Sequence, residues 1–348
     1  MSSDHRLPAL DGLRTFAILA VFANHAASRV APGGMIGVDV FFALSGFLIT
    51  SLLMCEFHRT GSLDLKKFYL RRLMRLTPVL VVAALVLGVA AWLLGYAHPV
   101  GDSLTAVLGV SNFYSAVVGV ERGTIGQSWS LSVEQQFYLL WAPLLLVLLR
   151  RRSRRLLLWT VVGLALALVA GTTVATLAGA PIAVLYLLPT TRLPELFVGC
   201  VLAVLLQSPA RRRLVAACRP TLVAALALTA LILPVFLLDL YNSTLMYCGG
   251  WVLAAVVTCV FIVHVVGNDR SLVARLFAVP VVVWFGRISY SFYLWHYVAI
   301  VVPKLVLPKS AAIVVGFALA TGLAALSYYC VERPFVRLRA ATPASRSR

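Results

Sequence analysis

Charged residues are scarce in this sequence, and acidic residues are the scarcest. Of the 348 residues, 12% are charged and 12 are Asp or Glu, whereas 61% are hydrophobic. Soluble domains carry about 25% charged and about 45–50% apolar residues, so a larger soluble core does not explain this composition. Because one membrane-spanning helix needs ~20 apolar residues, the length allows about ten spans joined by short loops and leaves no room for a sizeable soluble domain.

Several common site patterns are also missing. The six cysteines are scattered without a CxxC pair, which indicates small buried side chains rather than a metal site or a disulfide framework. The 30 Lys and Arg residues are not interleaved with aromatic residues, so we expect no nucleic-acid partner. Ser45, in LSGF, lacks the strand–turn–helix context of a nucleophile elbow and is expected to serve helix packing.

The apolar runs predict an all-α integral membrane protein with ten transmembrane helices, in a single domain over residues 1–348. Between these runs, 23 basic residues fall in the segments on one side and 4 in those on the other. By the positive-inside rule both termini are cytoplasmic, which predicts a multi-pass protein of the inner (plasma) membrane. We expect a disordered tail over 340–348 and helices over 10–27, 38–56, 76–96, 130–149, 156–177, 192–207, 220–238, 247–266, 279–302 and 310–330.

Ionisable residues inside spans are functional candidates, because lipid makes them expensive. Arg14 and His25 interrupt the first run, which we therefore expect to stay as a helix rather than to be removed as a signal peptide. They lie eleven residues apart, which places them about 16 Å apart along the axis on nearly the same face. Alternating the helices through the bilayer places Arg14, Arg71, Arg72, Arg75 and Arg287 in the inner half or at the inner surface, and His25, Asp39, Glu134, Gln135, Arg192, Glu195 and His296 in the outer half.

The two depths predict two tasks. Inner arginines suit an anionic ligand from the cytoplasm, because guanidinium groups bind phosphate oxygens at two points. Coenzyme A has phosphates at one end and a thioester at the other, and we estimate its reach as comparable to half of the ~30 Å hydrocarbon core. His25 is the candidate base for an acceptor hydroxyl, with Asp39 or Glu134 fixing its tautomer. An acyl-imidazole on His25 is an alternative route.

Other interpretations of the same residues stay open. His25 could serve helix packing, Arg14 could anchor the helix at the interface, and Arg192 with Glu195 could form a structural pair. For the whole chain, the alternative is a proton-coupled transporter or flippase, in which buried charges form a proton relay. Transporters often contain paired broken helices in repeated halves, and no such repeat is evident in this sequence.

Seven stretches between residues 7 and 335 match one known family, in the family's order. They are LPALDGLRTFAILAVFANHA, GVDVFFALSGFLIT, FYLRRLMRLTPV, SWSLSVEQQFYLLWAP, TRLPELFVG, ISYSFYLWHY and VERPF. The sequence resembles the acyltransferase-3 family of bacterial membrane acyltransferases, which O-acylate cell-surface sugars, Nod factors and some macrolides. The resemblance covers nearly the whole chain.

The resemblance implies ten helices and transfer of an acyl group, acetyl by family frequency, from acyl-CoA to a hydroxyl. Acyl-CoA is then a co-substrate, no cofactor is bound permanently, and the acceptor is a glycan, a glycolipid or a macrolide. The resemblance also implies that Arg14 and His25 form an essential pair and that Arg72 and Arg75 form a functional RxxR element. Some members carry an added soluble esterase-like domain. This sequence shows none, so we expect no relay to such a domain.

Overall fold

The structure consists of packed α-helices. The computed structural model describes residues 7–119 and 124–341, and within these ranges it contains no strand. A 3₁₀ turn (Gly126–Ser128) precedes α6, and π-helical turns precede α12 (Met246–Gly250) and follow α15 (Tyr328–Glu332). The α-helices are α1 (Pro8–Ala26), α2 (Ile36–Thr60), α3 (Leu65–Leu93), α4 (Pro99–Leu108), α5 (Ser111–Val118), α6 (Trp129–Arg150), α7 (Arg154–Leu177), α8 (Ile182–Leu187), α9 (Pro189–Leu206), α10 (Ala210–Cys218), α11 (Thr221–Leu237), α12 (Trp251–Gly267), α13 (Leu272–Phe277), α14 (Pro280–Lys304), α15 (Lys309–Ser327) and α16 (Arg333–Ala341).

Several of these helices can cross a membrane, as the composition predicted. In the described part of the chain, α10 and α11, bent by 77°, form a candidate broken span beside seven segments that are long and apolar enough to cross alone. The predicted tail begins two residues too early, because residues 340 and 341 belong to α16, where Arg, Leu and Ala are good helix formers. Residues 342–348 lie outside the described residues. The seven segments are Ile36–Thr60, Leu65–Leu93, Gly126–Arg150, Arg154–Leu177, Pro189–Leu206, Met246–Gly267 and Lys309–Arg337.

Helices α1 and α14 are not among these seven segments, although they are 19 and 25 residues long. Polar residues interrupt both of them, with Arg14 and His25 in α1 and Arg287 and His296 in α14. The two helices nevertheless pack closely against each other, and α1 also packs against α2. A helix with ionisable residues is stable in a membrane when those residues face other helices. The two long helices that polar residues keep out of the candidate spans are therefore placed together, and both contribute to the candidate site.

Glycines bring the central helices into backbone contact. A Cβ atom at Gly46 of α2 would overlap the carbonyl oxygen of Leu196 on α9. A Cβ atom at Gly286 of α14 would overlap the carbonyl oxygen of Asp11 on α1. Small residues at crossings allow this approach, which matters in lipid because no hydrophobic force drives apolar helices together. The crossing at Gly286 sets the distance between α1 and α14.

We expect Gly286→Ala to lower the free energy of unfolding by about 1–3 kcal/mol, because the new methyl group meets backbone atoms that cannot move aside cheaply. Gly322→Ala on α15 is the matched control, since a Cβ atom there meets nothing within 4 Å. That control should be unchanged or more stable by up to about 1 kcal/mol, because alanine is the better helix former. Thermal unfolding in detergent measures both. Equal stability of the two variants would contradict the close packing of α1 and α14.

Candidate functional site

Two histidines from α1 and α14 form a hydrogen-bonded pair. Nδ1 of His25 lies 2.9 Å from Nε2 of His296, and the ring centroids are 5.0 Å apart with an angle of 29° between the ring planes. His296 has an exposed fraction of 0%, whereas His25 is partly accessible. Imidazole is the side chain best suited to exchange a proton near neutral pH. This histidine pair, His25 with His296, is therefore the candidate acid–base group of the molecule.

The start of α6 docks on α14 one turn before His296. The hydroxyl of Tyr293 donates a hydrogen bond to the carbonyl oxygen of Gln127 over 2.9 Å and lies 2.7 Å from Oγ of Ser130. The side-chain amide of Gln127 donates to the carbonyl oxygen of Leu294 over 2.9 Å. These contacts satisfy buried polar groups, which hold a fixed position once they are paired. They hold the segment of α14 that carries His296.

Three arginines from α1 and α3 gather as a second group, which we name the arginine cluster: Arg14, Arg72 and Arg75. Each lies close enough to the other two to interact electrostatically. The guanidinium carbon of Arg72 lies 5.1 Å from the ring centroid of Tyr138. The side chains of Arg14 and Arg75 are 24% and 40% exposed. Guanidinium groups that repel one another favour an anion between them.

Glu134 belongs to the surroundings of the arginine cluster. Its Oε2 accepts a hydrogen bond from the Tyr138 hydroxyl over 3.3 Å, and it interacts electrostatically with Arg72 and Arg14. The Tyr138 hydroxyl also lies 2.7 Å from Oγ of Ser45 on α2. Glu134 and Tyr138 are four residues apart on α6, so they share one helix face. That face is turned toward the arginines.

Two further carboxylates border the arginine cluster. Oδ1 of Asp11 accepts from Nη1 of Arg14 over 2.8 Å, and its Oδ2 lies 3.7 Å from Nε of Arg287. Oε1 of Glu332 lies 3.7 Å from Nε of Arg75. Together with Glu134, three carboxylates therefore face four guanidinium groups. The excess of positive charge, with Arg287 itself 49% exposed, leaves this region attractive to anions.

A third group, the buried ion triad, consists of Asp39, Arg192 and Glu195. Nη1 of Arg192 donates to Oδ1 of Asp39 over 3.0 Å and to Oε1 of Glu195 over 3.3 Å. All three side chains are at most 1% exposed. The guanidinium carbon also lies 4.2 Å from the ring centroids of both Tyr186 and Trp251. The triad joins α2, α8, α9 and α12 inside the bundle and is enclosed on all sides, as a structural element is.

Comparison with known proteins gives the family. A profile described as an acyltransferase domain, of the acyltransferase-3 type, matches residues 7–330. The chain belongs to the acyltransferase-3 family. This confirms the resemblance that the seven sequence stretches indicated. No solved structure matches this acyltransferase-3 chain.

Relatives of this acyltransferase-3 chain are named for O-acetyl transfer. A candidate O-acetyltransferase of Staphylococcus aureus (strain COL) is 33% identical over 94% of this chain and 57% of its own length. The peptidoglycan O-acetyltransferase OatA of Listeria monocytogenes is 32% identical over 94% of this chain and 55% of its own length. A candidate peptidoglycan O-acetyltransferase of Bacillus subtilis (strain 168) is 33% identical over 95% of this chain and 55% of its own length. The chain thus spans a little over half the length of these relatives.

The structure corrects the grouping that depth alone predicted for two carboxylates of this acyltransferase-3 chain. Asp39, expected next to His25, pairs with Arg192 instead. Glu134, also expected there, lies with the arginine cluster. Nδ1 of His25 faces His296 instead. Equal depth does not make two residues lateral neighbours, because each helix turns its side chains in several directions. The contact between Arg192 and Glu195, which the sequence offered as a possible structural pair, is present at 3.3 Å.

Of the two remaining candidates, one lies beside a cluster and the other lies apart from all three. Arg287 joins the arginine cluster through Asp11, whereas the side chain of Gln135 lies against Gly109, at the turn between α4 and α5. Tyr138 was missed, although its position four residues after Glu134 in a polar start of a span was a usable signal. Tyr293 was missed because part of its contribution is its backbone carbonyl oxygen, which lies 2.7 Å from Nδ1 of His296 and which any residue type supplies.

We expect Arg192→Gln to destabilise the acyltransferase-3 fold by about 3–5 kcal/mol, because it leaves two buried carboxylates without their cation. The matched control is Arg212→Gln on the exposed side of α10, which should be neutral. The double variant Asp39→Asn with Arg192→Gln should recover part of the loss, since it removes one of the uncompensated charges. Thermal unfolding in detergent and the yield of monodisperse protein are the measurements. If Arg192→Gln matched the control, the triad would not be a structural element.

Proposed function

We propose that this chain transfers an acetyl group from acetyl-CoA to a hydroxyl of a cell-envelope glycan. One observation supports this most directly: α1 carries a member of the arginine cluster, Arg14, and a member of the histidine pair, His25. Their spacing corresponds to about 16 Å along the helix axis. An anion-binding region and an acid–base region at that separation match a donor with phosphates at one end and a thioester at the other. Membership of the acyltransferase-3 family and the names of the relatives agree with this function.

The donor binds through charge in this proposal. The arginine cluster and Arg287 present more guanidinium groups than there are carboxylates to neutralise them, so phosphate groups complete the balance. Arg72 and Arg75 lie near the start of α3, on the side that the basic residues predict to be cytoplasmic. Acetyl-CoA is a co-substrate that leaves as CoA. No resident cofactor or metal enters the reaction.

His25 acts as the general base. The acceptor hydroxyl oxygen attacks the thioester carbonyl carbon while Nε2 of His25 takes the hydroxyl proton. The carbon–sulfur bond then breaks, and the thiolate of CoA takes that proton from the imidazolium. The products are an acetyl ester and CoA thiol, and His25 returns to its starting form. In the covalent route the same nitrogen would attack the thioester, so both routes depend on the lone pair of Nε2.

The acceptor is a cell-wall glycan in this proposal, and peptidoglycan is the first candidate because relatives are named for it. We further propose ten crossings of the plasma membrane with both termini in the cytoplasm, which the distribution of basic residues supports. Helices α1 and α14 are then crossings despite their polar residues. Donor and acceptor reach the histidine pair from opposite sides of the membrane.

The test of this function is His25→Gln in purified protein in nanodiscs, where both membrane faces are accessible. With radiolabelled acetyl-CoA and soluble glycan strands of peptidoglycan, the wild type should label the glycan. His25→Gln should lower the rate by about 10²–10⁴-fold, the usual contribution of a general base. His98→Gln, at an exposed histidine in the loop before α4, is the control and should be unaffected. Full labelling of glycan by His25→Gln would reject the assignment of the base.

A second experiment tests the proposed contacts of Arg72 and Arg75 with the phosphates of the donor. Arg72→Gln and Arg75→Gln should each raise KM for acetyl-CoA by about 10-fold or more, since a hydrogen bond to a charged group contributes about 1.5–3 kcal/mol. KM for S-acetylpantetheine, which lacks the phosphates, should stay the same. Lys66→Gln, at an exposed residue of the first turn of α3, is the control. Equal increases for both donors would show that these arginines act on the fold rather than on phosphate.

A further inference from the structure

The hydrogen bonds of His296 define which of its nitrogens carries the hydrogen. Its Nδ1 lies 2.7 Å from the carbonyl oxygen of Tyr293. A carbonyl oxygen accepts hydrogen bonds and never donates one, so Nδ1 of His296 is the donor. In a neutral imidazole the other nitrogen then has the lone pair. His296 therefore presents an acceptor, Nε2, toward α1.

The same reasoning carries over to His25. Its Nδ1 lies 2.9 Å from the acceptor Nε2 of His296, so the hydrogen of neutral His25 is on Nδ1. The lone pair of His25 is then on Nε2, the nitrogen that general-base or nucleophilic chemistry requires. A chain of two hydrogen bonds, from His25 through His296 to a backbone carbonyl oxygen, thus selects one tautomer at each ring.

Packing holds His296 in the orientation that this chain needs. The ring of Phe292 lies parallel to that of His296, with a centroid distance of 6.3 Å and an interplanar angle of 5°. Phe292 in turn contacts Phe22 of α1 edge-on at 5.7 Å. His296 is enclosed, with an exposed fraction of 0%. The imidazole is therefore a rigid part of α14 and can serve as a fixed reference for the ring of His25.

We infer that His296 is a positioning residue, which holds His25 in the Nδ1–H tautomer and directs its Nε2 lone pair to the acceptor hydroxyl. This inference rests on the proposed acyl transfer. It gives His296 the place that a carboxylate has in a Ser-His-Asp triad, where loss of the orienting group leaves the histidine in the wrong tautomer. When Nε2 of His25 takes the hydroxyl proton, the Nδ1–H group of His25 stays hydrogen-bonded to His296. The proton on Nε2 later moves to the CoA thiolate.

Two substitutions of His296 separate the two hydrogen bonds. The side-chain amide of glutamine reaches the position of Nε2 in the ring, so His296→Gln keeps an acceptor for His25. The amide of asparagine reaches only the position of Nδ1, so His296→Asn keeps the bond to Tyr293 and loses the bond to His25. We expect His296→Asn to lower kcat for acetyl transfer about 10²-fold or more with little change in KM for acetyl-CoA. His296→Gln should retain most of the wild-type kcat.

A spectroscopic measurement tests the inference without turnover. Nitrogen-15 NMR of histidine-labelled protein in nanodiscs distinguishes the two tautomers, and the chain has only six histidines. The His25 signals, identified by their loss in His25→Gln, should show hydrogen on Nδ1 in the wild type and in His296→Gln. In His296→Asn, His25 should shift toward the Nε2–H tautomer.

The outcomes separate this inference from the proposed function. A wild-type His25 with its hydrogen on Nε2 would overturn the inference, and so would a His296→Asn variant that kept both the tautomer and the wild-type kcat. If the tautomers changed as expected while His25→Gln still acetylated glycan at the full rate, the proposed function would fail instead, and the hydrogen-bond assignment would stand.

Discussion

Ionisable side chains inside a membrane-spanning bundle must find their partners within the protein, because lipid offers neither hydrogen bonds nor counter-ions. This constraint organises the described part of the chain into three polar groups with different solutions. The buried ion triad sets two carboxyl groups around one guanidinium and is enclosed, so no ligand from outside reaches it. The histidine pair is joined through hydrogen bonds and needs no counter-ion when both rings are neutral. The arginine cluster has more guanidinium groups than neighbouring carboxylates, and it is also the most accessible of the three. The group with the excess of positive charge is therefore the one that an anion can reach.

The sequence predicted the helical class and the apolar runs, because hydropathy acts along one axis, and the depth of the polar residues stays a prediction. It could not predict lateral neighbours. Asp39 and His25 were expected together from their depth, yet the close α2–α9 crossing at Gly46 places Asp39 beside Arg192. Likewise, the contact between His25 and His296 joins residues 271 positions apart. Nothing in the local pattern of either helix encodes such a partner.

The helices that apolarity identifies least well are those that carry the proposed chemistry. Helices α1 and α14 contain the arginine and histidine residues that the proposed function uses, and the same residues lower the hydropathy by which spans are recognised. Helices α2 and α15, which pack against this pair, are apolar enough to cross a membrane. A count of spans by composition is therefore most sensitive to helices that polar residues interrupt, and the distribution of basic loop residues is an independent indication of the number of crossings.

A neutral partner suits the proposed role of His25. A carboxylate beside His25 would place a permanent charge next to the base, and a charge that is withdrawn from water requires strong compensation. With His296 in that place, two neutral imidazoles form the pair, so in the proposed reaction a neutral thioester and a neutral hydroxyl approach a site that holds no ion. Positive charge arises only while the proton rests on Nε2 of His25, and the hydrogen bond to His296 stabilises it for that interval. The permanent charge of Arg14 lies about 16 Å away along α1, so in the proposed reaction the phosphates of the donor bind at a distance from the proton transfer.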